Sequence, residues 1–169
     1  MTTHAPQILP PGVRIRNEVR PGDAGYLTYL HGVLYAGEYG FDRSFETHVA
    51  GPLAEFVKFH TPRERIWIVE YNGQIAGSIA IGEMSAEEGR VRWFILHPDV
   101  RGLGLGKYLM NEALAFCRVS GYARVFLWTV SALETAIHIY TASGFQLREQ
   151  NTHEAWGTTV TEQQYDLTL

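Results

Sequence analysis

The chain has 169 residues, of which 46% are hydrophobic and 19% charged, so it carries enough apolar material for one core and is not typical of a disordered protein. Its 14 lysine and arginine residues against 18 aspartate and glutamate residues give a formal net charge of −4, which argues against non-specific nucleic-acid binding. Cys117 is the single cysteine and no run approaches the ~18 apolar residues of a membrane span, so we expect a cytoplasmic protein with no membrane partner.

The spacing of apolar residues predicts a chain of alternating strands and helices after a flexible lead-in over residues 1–12. Apolar residues that alternate with polar ones indicate strands, and apolar residues three or four apart indicate helices. The expected elements are a strand over 13–19, a helix from 21 to 34 or 35, a helix within 36–64 that Gly51-Pro52 interrupts, strands over 66–71, 74–84 and 90–96, a helix over 104–120, a strand over 124–130, a helix over 133–143, and strands over 145–149 and 164–169. Asn72-Gly73 is typical of a hairpin turn. This order predicts one domain over residues 13–169, a mixed sheet with helices packed on it.

A glycine-rich loop between a strand and a helix is the most informative stretch of the sequence. Gly102, Gly104 and Gly106 alternate with leucines after Arg101 and before Lys107. Glycines let the backbone approach a ligand closely, and the free N–H groups and dipole at a helix start attract an anion such as a phosphate. The spacing fits neither a Walker A loop nor a dinucleotide fingerprint. A tight turn whose glycines serve packing alone is the alternative.

Two motifs carry a resemblance to a known family. The stretch Arg101-x-x-Gly104-x-Gly106 resembles the coenzyme A loop of the GNAT acyltransferase superfamily, and Ala136-x-x-x-Tyr140-x-x-x-Gly144-Phe145 is similar to its helix-to-strand pattern. The resemblance covers about residues 13–169 and implies a mixed α/β fold, with a mostly antiparallel twisted sheet of about six to seven strands and about four helices. Finer stretches resemble the acetyltransferase half of proteins that also carry a MarR-type winged helix; these are residues 30–40, 127–131 and 156–163.

The resemblance implies acetyl-CoA as acyl donor and assigns residues to it. Main-chain amides of the loop would hold the pyrophosphate, the strand before it would pair with the pantetheine arm, and the helix tyrosine would stand near the sulfur. These implied residues are Arg101, Gly102, Leu103, Gly104, Leu105, Gly106 and Lys107 in the loop, Phe94, Ile95 and Leu96 in the strand, and Tyr140. A phenol with a pKa near 10 stays protonated at neutral pH and can act as general acid. Tyr140 could instead be a core aromatic, and Leu133 stands where many members carry an asparagine.

The reaction also needs a base, because an alkylamine of pKa about 10.4 is almost fully protonated at pH 7. Alternation along the strand before the loop puts Glu88, Arg90, Arg92, Phe94 and Leu96 on one face, with Val91, Trp93 and Ile95 on the other. The resemblance implies that a carboxylate on this strand can act as the base, and Glu88, near the end of the strand, is the candidate. Water, Glu83 and Glu38 remain open as alternatives.

The acceptor is expected to be a small amine, with an amino-acid-like molecule favoured. Arg90 and Arg92 suit a carboxylate or phosphate, whereas Tyr35, Glu38 and Tyr39 suit an ammonium group. The resemblance implies an N-acetyltransferase that works by direct attack in a ternary complex. A non-catalytic acyl-CoA sensor, a protein acetyltransferase and a nucleotide-phosphate binder are the alternatives. The seven histidines show no metal-ligand spacing, so we expect no metal. A homodimer is left open.

Overall fold

The computed structural model describes residues 8–169, so residues 1–7 of the predicted lead-in lie outside the described residues. This part of the chain contains seven strands and four α-helices. In chain order they are β1 (Val13–Arg16), α1 (Asp23–Tyr39), α2 (Arg43–Phe59), β2 (Arg65–Tyr71), β3 (Gln74–Glu83), β4 (Glu88–Leu96), a short 3₁₀ turn (Pro98–Val100), α3 (Leu105–Val119), β5 (Arg124–Val130), α4 (Glu134–Ala142), β6 (Gln146–Ala155) and β7 (Thr158–Thr168).

The seven strands form one sheet in the order β1-β2-β3-β4-β5-β7-β6. Neighbouring strands are antiparallel, apart from β4 and β5, which run parallel. The last hairpin therefore inserts β7 between β5 and β6. The predicted mixed, mostly antiparallel sheet flanked by helices is confirmed.

The sheet is open between β4 and β5. These strands pair at three positions only, from Glu88 with Arg124 to Arg90 with Phe126. Beyond Arg90 they have no paired residues, whereas β5 continues to pair with β7 as far as Val130. Because β4 and β5 are parallel, the gap lies at their carboxyl ends, at the centre of the sheet.

Helices cover both faces of the sheet and form two apolar cores. On the α3 face, which α3 and α4 cover, Leu109 and Met110 are fully buried in the same cluster as Ile79 of β3. On the α1–α2 face, Leu53 packs in one cluster with Ile68 of β2. Each such side chain stabilises the fold by about 1.5–3 kcal/mol through its removal from water. The cores hold the gap between β4 and β5 in place from both sides.

A β-bulge at Trp93 changes the direction of the side chains along β4. The register with β3 shifts between Ser78 and Ala80, and Trp93 has a φ of 46°. Arg92 pairs with Ala80, whose side chain belongs to the α1–α2 core, and Trp93 packs against that same core. Two consecutive side chains thus share a face, as the extra residue of a bulge requires.

The bulge contradicts the prediction of which β4 side chains share a face of the sheet. Phe94 and Leu96 pack against the core of the α3 face, whereas Arg92 lies on the α1–α2 face. The predicted grouping of these two apolar residues with Glu88, Arg90 and Arg92 is therefore wrong. Its physical reason is that one inserted residue reverses the alternation of every residue after it.

Both helices of the first half are longer than predicted. α1 continues to Tyr39 because the left-handed residue that ends it is Gly40, with a φ of 71° and an N–H bonded to the carbonyl of Ala36. α2 runs through Pro52 without the predicted interruption. A proline removes one helix hydrogen bond, and the buried face of α2 outweighs that loss; it consists of Phe45, Val49, Leu53 and Phe56.

The last two strands are also longer than predicted, and they form one hairpin. Its turn is Trp156-Gly157, whose φ angles are 52° and 79°. The carbonyl of Trp156 accepts a 2.8 Å hydrogen bond from the N–H of Asp42, in the loop between α1 and α2. The tip of this hairpin is thereby fixed against the helices of the α1–α2 face.

Candidate active site

The loop from Gly102 to Lys107 presents a series of unpaired main-chain N–H groups. None of them has an acceptor among residues 8–169. Gly102 and Gly104 have φ angles of 74° and 79°, and a Cβ added to either would meet nothing within 4 Å. Free N–H groups at the start of α3, reinforced by the positive end of its dipole, form an anion site. The exposed Lys107 adds a positive charge.

Two further loop residues, Leu105 and Gly106, serve packing. A Cβ on Gly106 would lie 2.7 Å from Cδ1 of Ile139, so this glycine lets α3 approach α4. Leu105 is buried in the core, and Leu103 is 45% exposed. Packing therefore explains Gly106, whereas Gly102 and Gly104 are open positions whose positive φ angles favour glycine in the turn itself.

A cavity of about 300 Å³ lies beside the free edge of β4. Its wall contains Phe94, Ile95 and Leu96 together with Arg101 and the first turns of α4. Because β5 does not pair with this part of β4, the strand edge can pair with an extended ligand, as exposed edges do. We call this space the mouth cavity.

A second cavity, of about 360 Å³, passes through the gap between β4 and β5. It adjoins the mouth cavity, since Tyr35, Phe94 and Leu133 line both. Its wall includes Tyr140 from the core of the α3 face and Phe45 from the core of the α1–α2 face. This central cavity can therefore bring ligands from the two faces into contact.

Tyr140 stands in the wall of the central cavity. It is 4% exposed, and its ring centroid lies 6.0 Å from that of Phe94 and 6.1 Å from that of Phe145. Its hydroxyl has no hydrogen-bond partner within the described chain. Burial raises the pKa of Tyr140 above the ordinary value of 10, so the phenol is protonated and free to donate.

Two arginines of β4 line the central cavity, and neither forms a close ion pair among the described residues, although the charge of Glu64 acts on Arg92. Burial lowers the pKa of Arg90, and burial with the charge of Arg90 lowers the pKa of Arg92 to about 10. Nε of Arg90 and Oγ1 of Thr129 are buried and unpaired in this part of the chain. An unsatisfied buried polar group costs about 1–3 kcal/mol. These groups are therefore suited to bind a polar, anionic ligand.

The remaining predicted site residues lie elsewhere. Glu88 lines neither cavity, and its carboxylate is held at the start of β4 by Arg124, with a nearest distance of 2.6 Å. Glu38 and Tyr39 line the mouth cavity, where Glu38 pairs with Arg101. Tyr35 reaches both cavities. The structure thus brings Tyr35, Arg90 and Arg92 to Tyr140 and separates Glu88 from them.

The sequence pattern did not single out several residues that line the central cavity. His31 is buried, its Nδ1 lies 2.7 Å from the carbonyl of Leu27, and burial lowers its pKa to about 4, so the ring is neutral. His48, Trp156 and Glu162 also line the central cavity. Sequence reasoning missed Glu162 because it expected the last strand to begin at residue 164. The stretch 156–163, which carried the finer resemblance, was the signal available.

Residues 8–169 contain neither a cluster of metal-ligating side chains nor a helix suited to a membrane. In that range no three histidine, cysteine, aspartate or glutamate side chains lie close enough together to hold a metal ion. The same residues contain no helix with the length and apolarity needed to cross a membrane.

Comparison with known proteins identifies the family. Residues 33–145 match the model of the acetyltransferase (GNAT) family, so the chain belongs to this family and is an acyltransferase. GNAT acetyltransferases use acetyl-CoA, the predicted acyl donor. The chain is similar to the uncharacterized N-acetyltransferase YjgM of Escherichia coli K12, with 32% identity over 117 residues that cover 66% of this chain and 70% of that protein.

Solved structures share the fold. The acetyltransferase from Streptococcus agalactiae 2603 has a TM-score of 0.73 at 19% identity and covers 94% of this chain and 99% of its own. The spermidine N-acetyltransferase from Vibrio cholerae, in complex with CoA and spermine, has a TM-score of 0.69 at 18% identity, with coverage of 93% and 95%. The finer MarR-linked resemblance stays a prediction.

Proposed function

We propose that this protein transfers the acetyl group of acetyl-CoA to the amine of a small, amino-acid-like molecule. The observation that carries the proposal is the central cavity, which is lined both by two arginines that form no close ion pair and by the buried Tyr140. The family supports acetyl transfer. The charges of the cavity support the acceptor class.

The acyl donor fits the loop and the mouth cavity. The unpaired N–H groups from Gly102 to Lys107 would bind the pyrophosphate, with Lys107 as a flanking charge. Arg101, which pairs with Glu38 in the free protein, would add its charge on releasing that carboxylate. The free edge of β4 at Phe94, Ile95 and Leu96 would pair with the pantetheine arm. This path leads the thioester to the central cavity, because the two cavities adjoin.

Tyr140 is the group suited to protonate the leaving thiolate. The acceptor amine attacks the thioester carbonyl directly, and a positioned proton donor commonly contributes a factor of about 10²–10⁴ to such a step. The raised pKa of Tyr140 keeps its proton in place until the thiolate forms. Leu133 lines both cavities and would contact the donor with an apolar side chain.

The acceptor is expected to carry an anionic group. Arg90 and Arg92 can bind a carboxylate or phosphonate, and Thr129 supplies a further donor on the cavity wall. The similar enzyme from Vibrio cholerae is seen with spermine, a polycation. Two arginines against one carboxylate in the cavity wall disfavour a polycation here.

The test compares acetylation of free amino acids with that of the matching primary amines, polyamines and a lysine-rich peptide. We expect amino acids to be preferred, and Arg92→Ala to raise KM for them while leaving acetyl-CoA binding intact. Arg65→Ala is the matched control, because Arg65 also stacks on an aromatic ring but lines neither cavity.

Three other results would redirect the assignment. Acetyl-CoA binding without turnover of any amine would favour the acyl-CoA sensor. A preference for the peptide that Arg92→Ala does not change would favour a protein acetyltransferase. Competition by ATP as strong as that by coenzyme A would favour a nucleotide-phosphate binder.

A further inference from the structure

We propose that Glu162 accepts the proton of the acceptor amine and that His153 carries this proton to solvent. The inference rests on the proposed function and names the base that the reaction needs. Without a base, the neutral form of an alkylamine at pH 7 is disfavoured by roughly 4–5 kcal/mol.

The pairing of β7 with β5 places Glu162 in the wall of the central cavity. It lies opposite Val130, on the α1–α2 face, and it lines the central cavity. Among the described residues that line this cavity it is the one carboxylate. Glu88, the candidate that the sequence offered, is bound by Arg124 outside the cavity.

His153 connects Glu162 to solvent. Nε2 of His153 lies 2.6 Å from Oε2 of Glu162, across the β6–β7 hairpin. The side chain of His153 is 36% exposed and that of Glu162 is 29% exposed. A carboxylate that faces the cavity and lies within hydrogen-bond distance of a partly exposed imidazole has the geometry of a proton exit, since imidazole is a common proton carrier in enzymes.

Two protons leave the acceptor nitrogen during the transfer. The ammonium group of the acceptor gives one proton to Glu162, and the neutral nitrogen then forms a C–N bond to the thioester carbon. As the C–S bond breaks, Tyr140 protonates the thiolate sulfur, and the second proton of the nitrogen returns to the phenolate oxygen. Glu162 passes its proton to Nε2 of His153, which releases one to water. The net products are the amide, coenzyme A and one proton.

The environment of Glu162 contains charges from every element around the cavity. The titratable and charged groups that line the same cavity are His31 and Tyr35 from α1, His48 from α2, Arg90 and Arg92 from β4, and Tyr140 from α4. His31 is neutral there, because burial lowers its pKa to about 4.

The test measures kcat/KM against pH for Glu162→Gln and His153→Gln. Glu162→Gln should lower kcat/KM at pH 7 by about 10²–10⁴ without changing the Kd for acetyl-CoA, the range of a lost general base. The loss should shrink as pH rises, because the amine then loses its proton unaided. His153→Gln should shift the pH profile, which a structural role would not do.

The matched control is Glu154→Gln. Glu154 lies on the same hairpin and bonds to Thr159, but it lines neither cavity, so this variant should keep wild-type kinetics. Formate, a small carboxylate, should restore part of the activity of Glu162→Ala. That rescue separates a lost base from a distorted cavity.

The two proposals fail in different ways. A Glu162→Gln enzyme with the wild-type pH profile and rate would overturn the role of Glu162 and leave the acetyltransferase intact. An equal loss at every pH with no rescue by formate would also overturn it. A wild-type protein that acetylates no amine would instead overturn the proposed function.

Discussion

Arg101 and Glu38 form a two-point ion pair, with Nη1 3.0 Å from Oε2 and Nη2 2.7 Å from Oε1. Nε of the same guanidinium donates to the carbonyl of Leu96 at 2.8 Å. The pair thereby joins the end of α1 to the end of β4 in the wall of the mouth cavity. The sequence predicted separate partners for these two residues, a phosphate for Arg101 and an ammonium for Glu38. In the structure each neutralises the other.

Removal of this competing carboxylate should strengthen acetyl-CoA binding. We predict that Glu38→Gln lowers the Kd about 1.5- to 5-fold, since an exposed ion pair contributes about 0.2–1 kcal/mol. Titration calorimetry at low and high salt checks this, and the gain should diminish with salt. Glu134→Gln is the control, because Glu134 also lines the mouth cavity but does not pair with Arg101. An equal gain in both variants would mean that the pair itself plays no part.

The open glycine of the loop predicts a loss of donor binding on substitution. Gly104→Val adds branches where backbone N–H groups face the ligand, at a φ of 79°. Acetyl-CoA at 100 times its Kd should stabilise the wild type by about 2.7 kcal/mol, and this shift should vanish in the variant. Gly22→Val is the control, since Gly22 has a φ of 94° and lies at the start of α1. Thermal unfolding with and without acetyl-CoA measures both, and an unchanged shift in Gly104→Val would refute the loop assignment.

The role of Tyr140 predicts a selective loss of rate. Tyr140→Phe should keep the Kd for acetyl-CoA and lower kcat by about 10²–10⁴, because only the proton donor is removed. Tyr165→Phe is the matched control, since its buried ring lies 6.3 Å from that of Tyr140 and its hydroxyl bonds to Gln163. Single-turnover kinetics isolate the chemical step. A near-normal rate in Tyr140→Phe would mean that Tyr140 is a core aromatic and not the proton donor.

A buried charge network predicts how stability depends on pH. Arg16 bonds to both oxygens of Asp23, at 2.7 and 2.8 Å, and to Glu70 at 2.6 Å. Burial raises the pKa of Asp23, but the bonds from Arg16 and from the N–H of Arg20 outweigh it and lower the pKa overall. A lowered folded pKa means that the contribution is complete above the unfolded value of about 3.9 and is lost as pH falls through the folded value.

Asp23→Asn should therefore lower the free energy of unfolding by about 1–3 kcal/mol at pH 7, the range for charge-assisted hydrogen bonds. The difference from wild type should narrow as the solution is acidified. Urea denaturation at pH 7 and pH 3 measures it. Glu55→Gln removes an exposed carboxylate from α2 and should change little at either pH. A gap between Asp23→Asn and wild type that stays constant with pH would exclude this network as its source.

Local patterns in the sequence were sufficient for the elements whose signal is local. Asn72 and Gly73 have the positive φ angles, 50° and 83°, that the hairpin turn required. The helix expected over residues 104–120 is present as α3, because its apolar stripe and the loop glycines lie within one short stretch. The glycine loop was found for the same reason.

Features that depend on a partner strand were not accessible from the sequence. The bulge at Trp93 arises from the register of β4 against β3, and nothing in the β4 sequence marks it. Glu162 faces the cavity because β7 inserts beside β5. The predicted strand began two residues later, so the sequence pattern predicted no orientation for the side chain of Glu162. The pairing of Glu38 with Arg101 joins residues that are 63 positions apart.

The gap between β4 and β5 also determines where the sheet is least protected. Edge strands usually hold the most labile amides of a sheet. In this protein, alternate N–H groups of β4 also lack a strand partner after Arg90, although β4 lies at the centre of the sheet. Such amides exchange with solvent through small local openings, whereas the amides of fully paired strands exchange only through larger unfolding events. Deuterium uptake in the free protein should therefore be fast within β4 after Arg90. A bound donor should slow it there.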